Sequence, residues 1–242
     1  MPSKRSYQVF AQYYDAVMGD RKREIDRVKL WIKERAPRAK NLVELGCGTG
    51  AVLQGFAKGY SVTGVDLSGA MLRVAKQRLP NATLRKGDMS RYRSNEKTDL
   101  VLCLFDTINH LISFRDWTRL FANVRSMLAS DGVFIFDINT IERLQELSTF
   151  GPMASYFSDA DFVLMRVSKV RANRFSWDVR IFKRSRPNRY TSHREVIYET
   201  SFPIDRIVSH LRRWFSSIEL FNSEGASVTS DAKGRVFFVC RP

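Results

Sequence analysis

Three stretches of the chain carry side chains whose types and spacing suit chemistry. The first is Val43-Glu44-Leu45-Gly46-Cys47-Gly48-Thr49-Gly50, a short apolar run ending in a glycine turn. Glycines there let the backbone bend tightly and let a ligand approach the main chain. Asp66 follows Gly46 by 20 residues, where a second apolar run ends. A carboxylate in that place can accept hydrogen bonds from both hydroxyls of a ribose. The second stretch is Phe105-Asp106-Thr107-Ile108-Asn109-His110, which also follows an apolar run. An imidazole at the mouth of a crevice can take up a proton near neutral pH. The third is Ser192-His193-Arg194-Glu195, a polar segment with a second candidate imidazole. Cys47, Cys103 and Cys240 are odd in number and far apart, with no CxxC pair. That pattern fits a reducing, cytoplasmic setting, gives no disulfide framework or metal site, and leaves Cys47 and Cys103 as small fillers.

The glycine spacing narrows the ligand. A dinucleotide fingerprint reads GxGxxG, whereas this turn reads GxGxG with Glu44 two residues before it. An acidic group there suits a ligand with a positive end better than a pyrophosphate. S-adenosylmethionine, with its ammonium and sulfonium, fits that description.

The elements that must position these groups alternate between strand and helix. Residues 7–18 read as a short amphipathic helix or a turn and helix, and Asp20 can cap a second helix over 21–35. Strands are expected at 42–45, 61–65, 82–86, 99–104 and 133–138, the last entered by a turn at Asp131-Gly132. Helices are expected at 50–58, 114–128 and from Ser68 to Arg78. This order implies crossovers and a parallel sheet covered on both faces. After Asn139 the texture changes to three strands, 161–171, 174–184 and 189–200, with Phe175, Trp177, Val179 and Ile181 on one face. A helix at 204–214 and strands at 217–222 and 235–240 follow.

Several segments resemble the class I S-adenosylmethionine-dependent methyltransferases: ELGCGTG, VTGVDLSGAML, LRKGDMSRY, DLVLCLFDTINHL and LASDGVFIFDIN. Tyr13-Tyr14-Asp15, Phe105 to Asn109 and the late β segment are similar to the small-molecule subgroup of amino-sugar N,N-dimethyltransferases and YqeM-like proteins. The resemblance implies a Rossmann-like, doubly wound seven-stranded α/β sheet with its last strand antiparallel and a β insert after the fifth strand. Residues 1–40 would cover the cofactor, 41–139 with 203–242 would bind it, and 140–202 would form the substrate lid. The implied cofactor contacts are Tyr14, Glu44, Gly46, Cys47, Gly48, Asp66, Leu67, Met71, Asp88, Met89 and Phe105. Tyr14, His110 and His193 are the implied catalytic groups. Asn109, Arg180 and Tyr198 are placed at the substrate, and relatives suggest a homodimer through the insert.

Composition bounds the rest. The 242 residues are 44% hydrophobic, with net charge +15. No apolar run is long enough to cross a membrane, and Met1 to Arg5 lead into no secretory core. The middle of the chain, 41–139, carries 12 basic and 9 acidic groups, so the excess flanks it. The basic cluster at 166–189 falls on the expected lid, which points to an anionic acceptor. The expected activity is methyl transfer to N or O of a small metabolite. The alternative is an RNA methyltransferase acting on ribose or a ring nitrogen, with the basic flanks holding the RNA.

Overall fold

The computed structural model describes residues 7–157 and 160–242; the first six residues of the N-terminal segment lie outside them. In chain order the elements are α1 (Tyr14–Met18), α2 (Lys22–Arg35), β1 (Asn41–Leu45), α3 (Ala51–Phe56), β2 (Ser61–Asp66), α4 (Gly69–Arg78), β3 (Thr83–Lys86), β4 (Thr98–Cys103), α5 (Phe114–Met127), β5 (Leu128–Asn139), α6 (Ile141–Thr149), β6 (Met153–Phe157), β7 (Asp161–Arg171), β8 (Arg174–Arg186), β9 (Arg189–Thr200), α7 (Ile204–Leu211), β10 (Ser217–Asn222) and β11 (Arg235–Arg241). Seven strands form one sheet in the order β10-β11-β5-β4-β1-β2-β3. The pairs among β1 to β5 are parallel, and β11 runs antiparallel to both β5 and β10. The order reverses between β1 and β4, and a crevice opens there at the carboxyl ends of the strands.

The two faces of this sheet bury separate cores. One packs Trp117, Phe121, Phe134, Phe136 and Phe238 beneath α5 and α7. The other packs Val28, Trp31, Leu53, Phe56 and Phe237 beneath α2 and α3. Such two-sided burial explains why the strands read as continuous apolar runs. Among the described residues, no helix is long and apolar enough to cross a membrane.

A second, four-stranded antiparallel sheet has the order β6-β7-β8-β9. Its inner face buries Val163, Val179, Ile181 and Ile197 against Phe10 and Tyr13 of the N-terminal segment. The expected alternation on β8 holds: Phe175, Val179 and Ile181 are buried, with Trp177 partly so.

The structure adds two elements and redraws a third. Helix α6 follows Asn139 directly; Thr140 caps it by accepting from Arg143 N at 3.3 Å, and Leu144 packs on Val167 and Phe175. Strand β6 is an edge strand with Tyr156 largely exposed, so its sequence lacks the alternation that betrays a half-buried strand. The Asp131-Gly132 turn lies inside β5 as an irregularity: Leu128 pairs with Thr98, and pairing resumes at Val133 with Leu100. Gly132 is required there, since a Cβ would come within 2.5 Å of Leu128 Cδ2 and 3.0 Å of Asp99 O. The N-cap of α2 is Arg21 rather than Asp20; Asp20, one residue further out, accepts from Lys22 N at 3.0 Å.

Candidate active site

The glycine turn is built for close approach. Gly46, Gly48 and Gly50 have φ of 72°, 51° and 73°, a region that side chains other than glycine's rarely adopt. Gly46 also has no room for a side chain, because a Cβ would lie 2.1 Å from Thr107 Cγ2. The N–H groups of Gly46 and Cys47 donate to Val65 O at 2.7 and 3.0 Å, which ties the turn to the end of β2. Asp66 completes it. Its Oδ2 accepts from Gly48 N at 2.8 Å and its Oδ1 from Ser68 N at 2.7 Å. Each oxygen keeps a further lone pair for a ligand hydroxyl. Burial raises the Asp66 carboxyl above its ordinary value, and the two backbone donors partly offset this.

Around this turn lies a cavity lined by Gly46, Gly48, Asp66, Leu67, Met71, Asp88 and Met89, with Tyr7, Tyr14, His110 and Tyr198 at its other end. Leu67, Met71 and Met89 offer apolar surfaces for a flat ring. Asp88 Oδ1 accepts from the N–H and hydroxyl of Ser90, both at 2.8 Å. Glu44 lies buried near the end of β1, 3% exposed, and among the described residues its Oε2 has no hydrogen-bond partner. A ribose-type carboxylate and an open glycine cradle together fit a nucleoside ligand.

Burial pushes the Glu44 carboxyl up to about 8, against the pull of the Arg21 charge. A raised carboxyl contributes stability that is complete below its unfolded-state value and is lost as pH rises through the folded one. The ligand-free wild type therefore loses stability relative to Glu44→Gln between pH 5 and pH 8. Thermal melts of both proteins across that range check this, and a pH-independent difference between them would contradict it.

A second cavity adjoins the first and shares Tyr7, Tyr14, His110 and Ile197 with it. Its inner wall includes Phe10, Phe105, Met165, Trp177 and Val179, and its floor is Asp106, Glu199 and Arg235. Arg235 pairs with Asp106 at 3.0 Å and with the buried Asp137 at 2.6 Å. Asp137 in turn accepts from Phe105 N and Asp106 N at 2.6 and 2.8 Å. These bonds hold Phe105 and Asp106 in left-handed backbone, with φ of 59° and 49°. Burial pushes Asp106 up to about 6, against the pull of Arg235. Burial, then the Asp106 charge, lifts Glu199 well above the ordinary carboxylate range.

His110 stands where the cavities meet. Its Nδ1 lies 3.4 Å from Tyr198 O, and its Nε2 lies 3.2 Å from Tyr7 Oη. A carbonyl only accepts, so Nδ1 carries the proton and Nε2 accepts from the Tyr7 hydroxyl. Burial lowers the His110 pKa, which keeps the imidazole neutral. Tyr14 sits edge-on to Tyr7 and Phe10, with the Arg21 guanidinium 5.1 Å from its ring centroid. Asp15 fastens this segment to the turn: it accepts from Thr49 Oγ1 at 2.7 Å and pairs with Arg78 at 2.7 Å and Arg21 at 3.0 Å. Burial alone would raise its carboxyl, but the bonds from Thr49 and Arg78 outweigh that and hold it low.

Most of the residues singled out in the sequence converge here, and seven are placed differently: Glu44 lines neither cavity, Tyr198 lines the first rather than the second, and five more follow. Arg180 occupies the outer face of β8, where it pairs with Asp178 at 3.4 Å and lines neither cavity. Strand alternation puts it opposite Val179, which does line the second cavity. Arg166, Arg184 and Arg186 of the 166–189 cluster are likewise exposed, Arg174 and Lys183 are partly buried, and the cavity floor holds Asp106, Glu199 and Arg235. His193 is exposed, beyond Glu195, and touches neither cavity. Asn109 is fully buried and spent on the fold, donating to Asn139 O and Thr200 O and accepting from Asn139 N at 3.0 to 3.1 Å. Cys47 is buried, and its Sγ stands 2.7 Å from where a Gly64 Cβ would be. Phe105 lines the second cavity rather than the first.

Tyr7, Glu199 and Arg235 were not anticipated. Glu199 had a legible signal: it shares the buried face of β9 with Ile197 and is 3% exposed. A charged residue at a buried strand position asks for a reason.

The fold is that of S-adenosylmethionine-dependent methyltransferases. Residues 42–132 match a family described as a methyltransferase domain. A putative methyltransferase of Geobacillus sp. (strain WCH70) is 25% identical over 98% of this chain and 99% of its own. A dTDP-4-amino-2,3,4,6-tetradeoxy-D-glucose N,N-dimethyltransferase of Saccharopolyspora spinosa is 33% identical over 52% of this chain and 53% of its own, so that match covers about half of each protein. Among solved structures, an S-adenosylmethionine-dependent methyltransferase from Clostridium acetobutylicum ATCC 824 has the same fold, with TM-score 0.84 over 97% of this chain and 98% of that one at 24% identity.

Proposed function

We propose that this chain methylates an amine nitrogen of a small metabolite. The observation that carries the reading is the meeting of two cavities at Tyr7, Tyr14 and His110, one with a ribose carboxylate and the other with a buried acid pair on its floor. The amino-sugar relative supports a small nitrogen acceptor. The acids Asp106 and Glu199 favour a cationic acceptor over the anionic one that the charge of the 166–189 segment had suggested.

Bound S-adenosylmethionine supplies an electrophilic methyl group on a sulfonium. Asp66 would hold its ribose, with Leu67, Met71 and Met89 against the ring and Asp88 at the ring's edge. Glu44 would complement the positive end. Tyr14 would cover the sulfonium and exclude water, and the aromatic wall of the second cavity would aim the acceptor nitrogen in line. An amine that enters as ammonium must lose a proton before it can attack. The Tyr7 hydroxyl can take that proton while passing its own to His110 Nε2. No metal has a role in this scheme.

A methyl-label transfer screen tests the reading, using matched primary amines, alcohols and carboxylic acids as acceptors. Amines are expected to be the methylated class. Labelling confined to alcohols or carboxylates would overturn the nitrogen assignment while leaving the donor site intact.

A further inference from the structure

A third concave site lies between α5 and α7 and shares no lining residue with the two cavities above. Its lining is Arg115, Thr118, Arg119, His210, Arg213 and Trp214, with no acid among them. Arg115 and Arg119 stand one helical turn apart on α5, so their guanidinium groups share a face. Asp116 pairs with Arg119 at 3.1 Å and neutralises part of the charge. Arg213 closes the groove from the other side. Trp214 is 41% exposed, and its carbonyl accepts from Arg125 Nε at 3.1 Å, which anchors the segment that presents the indole. His210 Nδ1 lies 3.1 Å from Arg206 O, so its Nε2 is the nitrogen available to a ligand. The floor is stiff: the His210 ring meets Phe114 edge-on at 4.7 Å, and the Arg206 guanidinium lies 4.0 Å from the centre of the same ring.

Converging arginines with one partial counter-ion repel each other unless an anion joins them. An exposed indole beside them costs solvation unless something flat covers it. A phosphodiester chain that carries flat bases meets both conditions. Guanidinium forks match phosphate oxygens, and an indole stacks on any base. An acidic peptide satisfies the charges but leaves the indole uncovered. A duplex presents phosphates but keeps its bases stacked inside. We infer that the α5–α7 groove is a binding site for single-stranded RNA, separate from the methyl-transfer centre and not its acceptor.

The experiment uses the full chain with S-adenosylhomocysteine bound. Fluorescence anisotropy reads binding of a labelled oligouridylate, with the duplex of equal length and polyglutamate as competitors. The oligouridylate is expected to bind and the duplex and polyglutamate to compete poorly. The triple variant Arg115→Gln/Arg119→Gln/Arg213→Gln should lower the slope of log affinity against log salt by about 2, as expected for roughly three lost phosphate contacts on a single strand. Trp214→Ala should weaken binding at least about fivefold, the lower end for loss of one stacked base. Unchanged affinity for S-adenosylhomocysteine in each variant would show that the fold and the donor site persist. Three results would overturn the inference: no binding by the wild type, binding indifferent to both variants, or polyglutamate competing as well as RNA with no effect of Trp214→Ala. None of these bears on the methyl-transfer reading, because acceptor labelling is measured separately.

Discussion

Asp66→Ala is expected to weaken S-adenosylmethionine binding by at least about a hundredfold. Hydrogen bonds to a charged acceptor contribute about 1.5–3 kcal/mol each, and a ribose would make two to this carboxylate. The substitution does more than delete ligand contacts. Gly48 N and Ser68 N both donate to Asp66, so the glycine turn and the start of α4 lose their common anchor. Calorimetry on the purified protein measures this directly. Asp88→Ala provides the comparison: Asp88 is more exposed, its Oδ1 already serves Ser90, and the expected loss is about tenfold. Equal, small losses in both variants would mean that the ribose sits elsewhere.

Glu199→Gln is expected to lower kcat/KM for amine acceptors by about 10- to 100-fold, through KM, and to leave S-adenosylhomocysteine binding unchanged. The size follows from removing one buried charge–charge contact with the acceptor, worth about 1.5–3 kcal/mol. The pH dependence adds a second readout. Burial holds Asp106 up near 6 and Glu199 well above the ordinary carboxylate range, so the pair gains negative charge as pH rises. A cationic acceptor then binds better as pH goes from 5 to 8, and KM falls. Glu199→Gln removes the acid that gains charge toward higher pH, so the fall in KM shrinks. A KM profile identical to that of the wild type would remove Glu199 from acceptor binding. A loss of donor affinity would instead mark it as part of the scaffold.

Much of the donor half of the site could be read along the chain. Gly46, Gly48 and Asp66 sit within 20 residues of one another, and one strand–turn–helix–strand unit brings them together. Local sequence carries that geometry, because the turn needs glycines and the strand end needs an acceptor for their N–H groups. The strands β7, β8 and β9 were equally plain, since one buried face imposes alternation. Helix α6 carried a cap at Thr140 and an apolar Leu144, but the expectation of continuous β texture after Asn139 hid it. The edge strand β6 gave no pattern to find.

The acceptor half was different in kind. Glu199 and Asp106 are 93 residues apart in sequence, and Tyr7 meets His110 across 103. Nothing local to any of these residues encodes its partner. Arg180 and Asn109 show the same limit from the other side. Each has a side chain suited to binding, yet the face of a strand turned one outward and three backbone bonds consumed the other.

The sequence by itself determined the class of fold, the donor ligand and the glycine turn tied to Asp66, because these depend on short-range backbone requirements written in glycine, carboxylate and strand periodicity. The tertiary structure decided which face of the second sheet lines the second cavity, that Asp106, Glu199 and Arg235 meet on that cavity's floor, and that Tyr7, His110 and Glu199 share one chamber. Those outcomes depend on which strand faces pair and which distant groups are buried together. Burial also sets the protonation states on which the proposed chemistry rests, and a linear sequence does not specify burial.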